Sequence, residues 1–188
     1  MNQPGSEKRL LFYVEQNYSF DILRPLQSEA QNRGYDVRWL ILEDADPAWL
    51  RADERRCGNT TEAIAFNPVA AFAPADRLPG FIPGLKVQVF HGLNEDKRGE
   101  PLPERGFFDL YCTQGPGQTA MLQPLAEQRR YFRVAETGWV KLDALFNAKH
   151  PQQKEDRPQI MFASTFTRSL SAAEDLYQAI STLRKSSQ

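Results

Sequence analysis

The chain of 188 residues suits one domain, or one domain and a fragment of another, and a core of that size holds without disulfide or metal staples. With 41% apolar residues, 25% charged residues and a formal charge of −1 at pH 7, it has an ordinary globular composition. That balance excludes a general nucleic-acid binder, which is strongly basic. Cys57 and Cys112 fit no metal-ligand spacing and suit reduced thiols in a reducing compartment. The apolar run from Leu10 to Val14 follows a polar start and is too short for a signal peptide or a spanning helix. The expected location is the cytoplasm, with peripheral docking at the inner membrane face left open.

Short apolar runs alternate with helical patterns, the sign of βα units on a parallel sheet. Arg9 to Val14 reads as the first strand. Asn17 or Ser19 can cap a helix to about Arg33, with Phe20, Leu23, Leu26 and Ala30 along one side. Pro25 predicts a kink or a late start, and Gly34 sits where a helix-ending glycine belongs. Val37 to Leu42 is the second strand, bulky and apolar as a buried parallel strand should be. Asp46-Pro47-Ala48-Trp49 opens a short helix with proline at its first position. Asn59 and Glu62 offer a cap and partner for a helix through Phe66.

Val69 to Ala73 is the third strand, and Pro74, Pro79, Gly80, Pro83 and Gly84 mark an irregular loop after it. Lys86 to Phe90 and Phe108 to Cys112 follow as strands. Gly115-Pro116-Gly117 turns the chain into a helix through Glu127, Tyr131 to Val134 is a sixth strand, and Leu142, Leu145 and Phe146 belong to a short helix. The predicted organisation is a domain over 1–146, a polar linker over 147–158, and a βα unit over 159–188. That unit comprises a strand from Gln159 to Ala163 and a helix to about Lys185, capped by Ser171 with Glu174. One strand and one helix bury no core of their own. The unit either extends the preceding sheet or opens a second domain.

The most informative stretch is Lys86-Val87-Gln88-Val89-Phe90-His91-Gly92. A histidine at the carboxyl end of a strand stands where α/β folds place ligands, and a positioned imidazole titrates in the right range to take a hydroxyl proton. The alternative is a hydrogen-bonded structural histidine. Gly92 lets backbone approach a substrate. Lys97 and Arg98, with Arg105 and Lys86, can meet phosphate. Interleaved Glu95, Asp96, Glu100 and Glu104 also fit a plain solvated loop. Gly115 opens a helix whose free N–H groups favour anions, and Lys141, beside Trp139, follows a strand in the same way. Neither GxGxxG nor GxxxxGK[ST] occurs. Glu95 lies four positions after His91 in a glycine-broken loop, which is no metal site. No cofactor or catalytic metal is expected.

Four stretches together resemble the CDP-glycerol glycerophosphotransferase family, which includes teichoic acid primases and polymerases. They are Lys86 to Gly92, Phe108-Asp109-Leu110-Tyr111-Cys112-Thr113-Gln114-Gly115, Thr137-Gly138-Trp139-Val140-Lys141-Leu142-Asp143, and Ile160-Met161-Phe162-Ala163-Ser164-Thr165-Phe166. The resemblance implies an α/β, Rossmann-like parallel sheet with flanking helices, the amino-terminal half of a GT-B architecture, plus one extra βα unit. It implies His91 as catalytic base; Gly92, Lys97, Arg98, Gly115 and Lys141 are the candidate substrate-binding residues read above from their positions and charge. The implied partners are a CDP-glycerol donor, held by a domain whose motifs have no match here, and a polyol-phosphate or glycolipid acceptor. Self-association stays open. So do two other readings: a sugar-nucleotide glycosyltransferase or epimerase of the same fold, and a non-catalytic interaction module.

Overall fold

Leu11, Phe12, Tyr13 and Val14 are all buried, so the strand that carries them must be covered on both faces. In the computed structural model, which describes residues 8–92, 107–147, 161–164 and 171–186, that strand is β1 (Arg9–Val14). It pairs on one side with β2 (Asp36–Ile41) and on the other with β4 (Ala70–Ala73). The sheet continues outward through β3 (Arg56–Cys57) beyond β2, and through β5 (Leu85–Gln88), β6 (Leu110–Thr113) and β7 (Arg133–Glu136) beyond β4. The order β3-β2-β1-β4-β5-β6-β7 is parallel at every pairing. This is the α/β, Rossmann-like sheet expected from the alternating runs.

Side-chain alternation along β1 divides the core in two. Leu11 and Tyr13 join α2 (Thr60–Phe66) and α3 (Pro116–Arg129) through Ala63, Phe66, Leu122 and Ala126. Phe12 and Val14 join α1 (Tyr18–Asn32) through Phe20, Ile22 and Leu23, with Trp39 and Val87. Each large side chain buried this way contributes about 1.5–3 kcal/mol. Gly84 has φ +79, and a Cβ there would meet Pro68 O at 2.3 Å, so the β4–β5 loop closes over the backbone only with glycine.

The chain leaves β1 toward β2 but leaves β4, its other neighbour, toward β5. Connections that diverge from adjacent strands open a crevice at their carboxyl ends, where doubly wound sheets bind ligands.

Several local expectations need correction. Asn17 makes no side-chain cap to α1; its Oδ1 accepts the Asp46 N–H at 2.8 Å and ties down the loop after β2. Ser19 lies inside the helix and is buried. Pro25 is accommodated within α1, and the helix still begins at Tyr18. Asn59 does cap α2, accepting from Glu62 N–H at 2.9 Å, while Glu62 Oε2 accepts from Gly58 N–H. The short helix after Asp46 is a 3-10 turn, Pro47–Trp49. Another 3-10 turn, Val140–Leu142, precedes α4 (Asp143–Asn147).

The chain divides into two compact units, Met1–Lys149 and His150–Gln188. In the second, Met161 to Ser164 are exposed and form no strand, and the rest of the predicted Gln159 to Ala163 strand lies outside the described residues. A strand needs a neighbour for its backbone groups, and these residues pair with none of the described strands. The helix of that unit, α5 (Ala173–Ser186), is present, and Ser171 Oγ accepts the Ala173 N–H at 3.2 Å. No helix among the described residues is long and apolar enough to cross a membrane.

One ion pair fastens the long β2–β3 crossover to α1. Arg24 donates to both oxygens of Glu54 at 2.9 and 3.2 Å and to the Trp49 carbonyl, and its guanidinium lies over the Phe20 ring. Burial alone would raise the Glu54 carboxyl, but the Arg24 hydrogen bonds, the Arg51 N–H and both positive charges outweigh it and hold it below its ordinary value. A carboxyl depressed in the folded state stabilises above its unfolded pKa and loses that stabilisation as pH falls through the folded one. Arg24→Ala, which strands a buried carboxylate, is expected to cost about 3 kcal/mol in urea unfolding at pH 7. Glu54→Gln is expected to flatten the decline of stability below about pH 4.5, the ordinary value.

Candidate functional site

The strand that carries His91 ends earlier than its apolar pattern implies. β5 stops at Gln88, and Phe90 adopts φ +54, the left-handed region that costs a non-glycine residue about 1–3 kcal/mol. Burial of the Phe90 ring beside Tyr111, at 6.1 Å, holds it there.

His91 follows this bend and is half-buried. Its Nδ1 lies 3.0 Å from the carbonyl oxygen of Pro74, just past β4. A carbonyl only accepts, so Nδ1 carries the hydrogen, and Nε2 is the acceptor atom of the neutral ring. The imidazole also stacks on Tyr18, the first residue of α1, with centroids 5.0 Å apart and planes 29° from parallel. Three elements therefore fix the ring: the ends of β4 and β5 and the start of α1.

The loops after β5, β6 and β7 meet at Gln114, a buried residue. A carbonyl only accepts and an indole N–H only donates, which assigns the Gln114 carboxamide its orientation: the nitrogen donates to the Gly92 carbonyl at 2.6 Å and the oxygen accepts from Trp139 Nε1 at 2.8 Å. Its own N–H donates to Gln118 Oε1 at 2.9 Å, fixing it to the first turn of α3. Lys141 Nζ lies 5.9 Å from the Trp139 ring centroid, within cation–π range. Below, Thr119 Oγ1 donates to Glu136 Oε2 at 2.8 Å and shares a hydrogen bond with Thr113 Oγ1 at 2.6 Å, joining β6, α3 and β7.

Four of the six residues singled out in the sequence thus lie at the carboxyl edge: His91 and Gly92 after β5, Gly115 after β6, and Lys141 after β7. A Cβ at Gly92 or Gly115 would meet no described atom within 4 Å. Gly115 caps α3 in an extended conformation, and Pro116 at the first helical position removes one of the anion-binding donors. Lys97, Arg98 and Arg105 lie outside the described residues. Lys86 does not belong to the group. It is the second residue of β5, toward the opposite end from His91, and its Nζ donates to the Gly84 carbonyl.

Two large cavities flank this edge, and His91 lines neither. One, of about 1090 Å³, sits above β1, β2 and the loop after β4, over Tyr13 and Leu40, with Glu15, Glu43, Asp44, Asp76 and Arg77 around it. Glu15 is paired to Arg77 at 3.3 Å. Burial, with the negative charge of Asp76 and Asp44, raises the Glu15 carboxyl above its ordinary value, and Arg77 only partly offsets this. The other, of about 960 Å³, runs between α1 and residues 139–145 and is lined by Arg24, Ser28, Arg51, Trp139, Lys141 and Asp143. Lys141 thus faces a cleft of mixed charge.

Sequence reasoning missed Gln114 as a bridge, Tyr18 as the stacking partner of His91, and the acidic cavity. Polar residues directly after strands were the available signal for Gln114. No group of three or more His, Cys, Asp or Glu is arranged to hold a metal among the described residues. Both cysteines are free, and burial raises their thiols, Cys112 to about 11. No family model, curated protein or solved structure matches the chain.

A half-buried ring held by a carbonyl hydrogen bond and a stacked tyrosine contributes modestly to folding. His91→Ala is therefore expected to cost about 1 kcal/mol in urea unfolding. A loss several times larger would make His91 a structural residue.

Proposed function

We propose that the chain is the acceptor-side part of a glycerophosphotransferase that uses CDP-glycerol. The observation that carries this reading is the Nδ1 hydrogen bond of His91 to Pro74 O, which orients the ring so that Nε2 is its acceptor at the carboxyl edge. In the reaction, an acceptor hydroxyl loses its proton to Nε2 as its oxygen attacks the glycerol-bearing phosphorus. A new P–O bond forms, the P–O bond to CMP breaks, and glycerol phosphate passes to the acceptor. General-base assistance of this kind contributes roughly 10²–10⁴-fold.

The remaining geometry supports an acceptor rich in phosphodiesters. Gly92 and Gly115 leave room for a chain along the edge, and Lys141 and Arg51 offer cations in the adjoining cleft, where Asp21, Glu29 and Asp143 also stand and Arg24 is already paired with Glu54. In this reading Lys97 and Arg98 are further substrate-binding residues by their charge, and the acceptor is a cell-surface polymer or glycolipid reached at the inner face of the membrane. CDP-glycerol is gripped by a partner domain.

The acidic cavity favours a second reading, a sugar-nucleotide enzyme. Carboxylates after the second strand of a doubly wound sheet suit ribose hydroxyls, and Glu43 and Asp44 stand there.

Calorimetric titration of the chain with polyglycerol phosphate, CDP-glycerol and UDP-sugars separates these. Binding of polyglycerol phosphate, weakened about tenfold by Lys141→Ala (roughly 1.4 kcal/mol), is expected. Binding of UDP-sugar alone would favour the second reading, and no binding at all a non-catalytic interaction module. In a polypeptide that also carries a donor domain, His91→Ala is expected to cut turnover by about 10²-fold or more with polymer affinity retained. Unchanged turnover would remove His91 as base.

A further inference from the structure

We infer that Gln114 is a positioning residue, one that sets the His91–Gly92 turn against the Trp139–Lys141 turn so that base and cation face the same ligand. The inference rests on the acceptor-binding reading for its ligand, and on geometry for the coupling. The Gly92 carbonyl needs a donor and the Trp139 indole N–H needs an acceptor, and both are met by one side chain. A carboxamide offers both at once without carrying charge. Gln114 cannot easily swing away, because it is buried and its own N–H is tied to Gln118. Through the Gly92 carbonyl it reaches the residue after the base; through the Trp139 ring it reaches Lys141 Nζ, 5.9 Å from the ring centroid.

Among the described residues, β6, α3 and β7 are joined without this bridge, by β6–β7 pairing and by the Thr113–Thr119–Glu136 hydrogen bonds. Without the Gln114 amide, the carbonyl of half-buried Gly92 and the indole N–H of half-buried Trp139 lose the side chain that joins them, and each turn is free to satisfy its group with water instead. Affinity for a ligand spanning both turns then falls.

The test uses the full chain, labelled with ¹⁵N, as wild type, Gln114→Leu and Gln114→Glu. Polyglycerol phosphate affinity and solvent exchange of the Trp139 indole N–H are measured at pH 7 and about pH 5. An ionised carboxylate has no hydrogen for the Gly92 carbonyl, whereas a protonated one donates and accepts as the amide does; burial raises a carboxyl's pKa and favours protonation in mild acid. Gln114→Leu is expected to weaken binding about tenfold relative to wild type at both pH values. Gln114→Glu should do so at pH 7 and recover at pH 5. Affinities equal to wild type at pH 7, or a Gln114→Glu deficit that ignores pH, would overturn the role.

If wild type binds no polymer, the acceptor reading fails by itself, and the indole decides the coupling. Exchange that is slow in wild type, fast in Gln114→Leu, and slow again in Gln114→Glu only at the lower pH supports it. Exchange indifferent to these substitutions overturns it.

Discussion

The two-sided burial of β1 is the constraint from which the rest follows. Four consecutive side chains, Leu11 to Val14, leave no face for water, so helices must cover both sides and strands must pair on both edges. With β2 on one edge and β4 on the other, the chain departs in opposite directions from neighbouring strands. The crevice at their carboxyl ends is thus a product of packing, and the loops that border it inherit their positions from the sheet.

Within that frame, polar groups do the fine placement. The carboxyl edge is joined loop to loop: Asn17 to Asp46, His91 to Pro74, Gln114 to Gly92 and Trp139. Each of these bonds links segments distant in sequence. Charge is unevenly shared along the edge. The side over β1 and β2 is dominated by carboxylates with Arg77 as counter-ion, whereas the cleft beside α1 mixes Arg24, Arg51 and Lys141 with acids. An anionic chain is repelled from the first and tolerated by the second.

Much of the sheet was legible because apolar runs bounded by glycine, proline and polar residues are long and regular there. Where the reading failed, a tertiary contact overrode a local preference. The two residues of β3 are too short to make a pattern, and only pairing with Trp39 and Leu40 defines them. Phe90 continues an apolar run, yet its burial beside Tyr111 bends the backbone and ends β5 at Gln88. Asn17 carries a capping side chain that the β2 loop captures instead. The carboxyl-edge location of His91, Gly92, Gly115 and Lys141 followed from their places after strands. Their linkage through a glutamine did not, because which loops touch is set by strand order, and strand order is not written locally.

The central claim concerns which nitrogen of one imidazole carries the hydrogen. Long-range ¹H–¹⁵N correlation of the His91 ring in the neutral state reads this directly. The account predicts a protonated Nδ1, held by the Pro74 carbonyl, and an unprotonated Nε2. A neutral ring with its hydrogen on Nε2 would mean that the Pro74 contact does not orient it, and would contradict the proposed base.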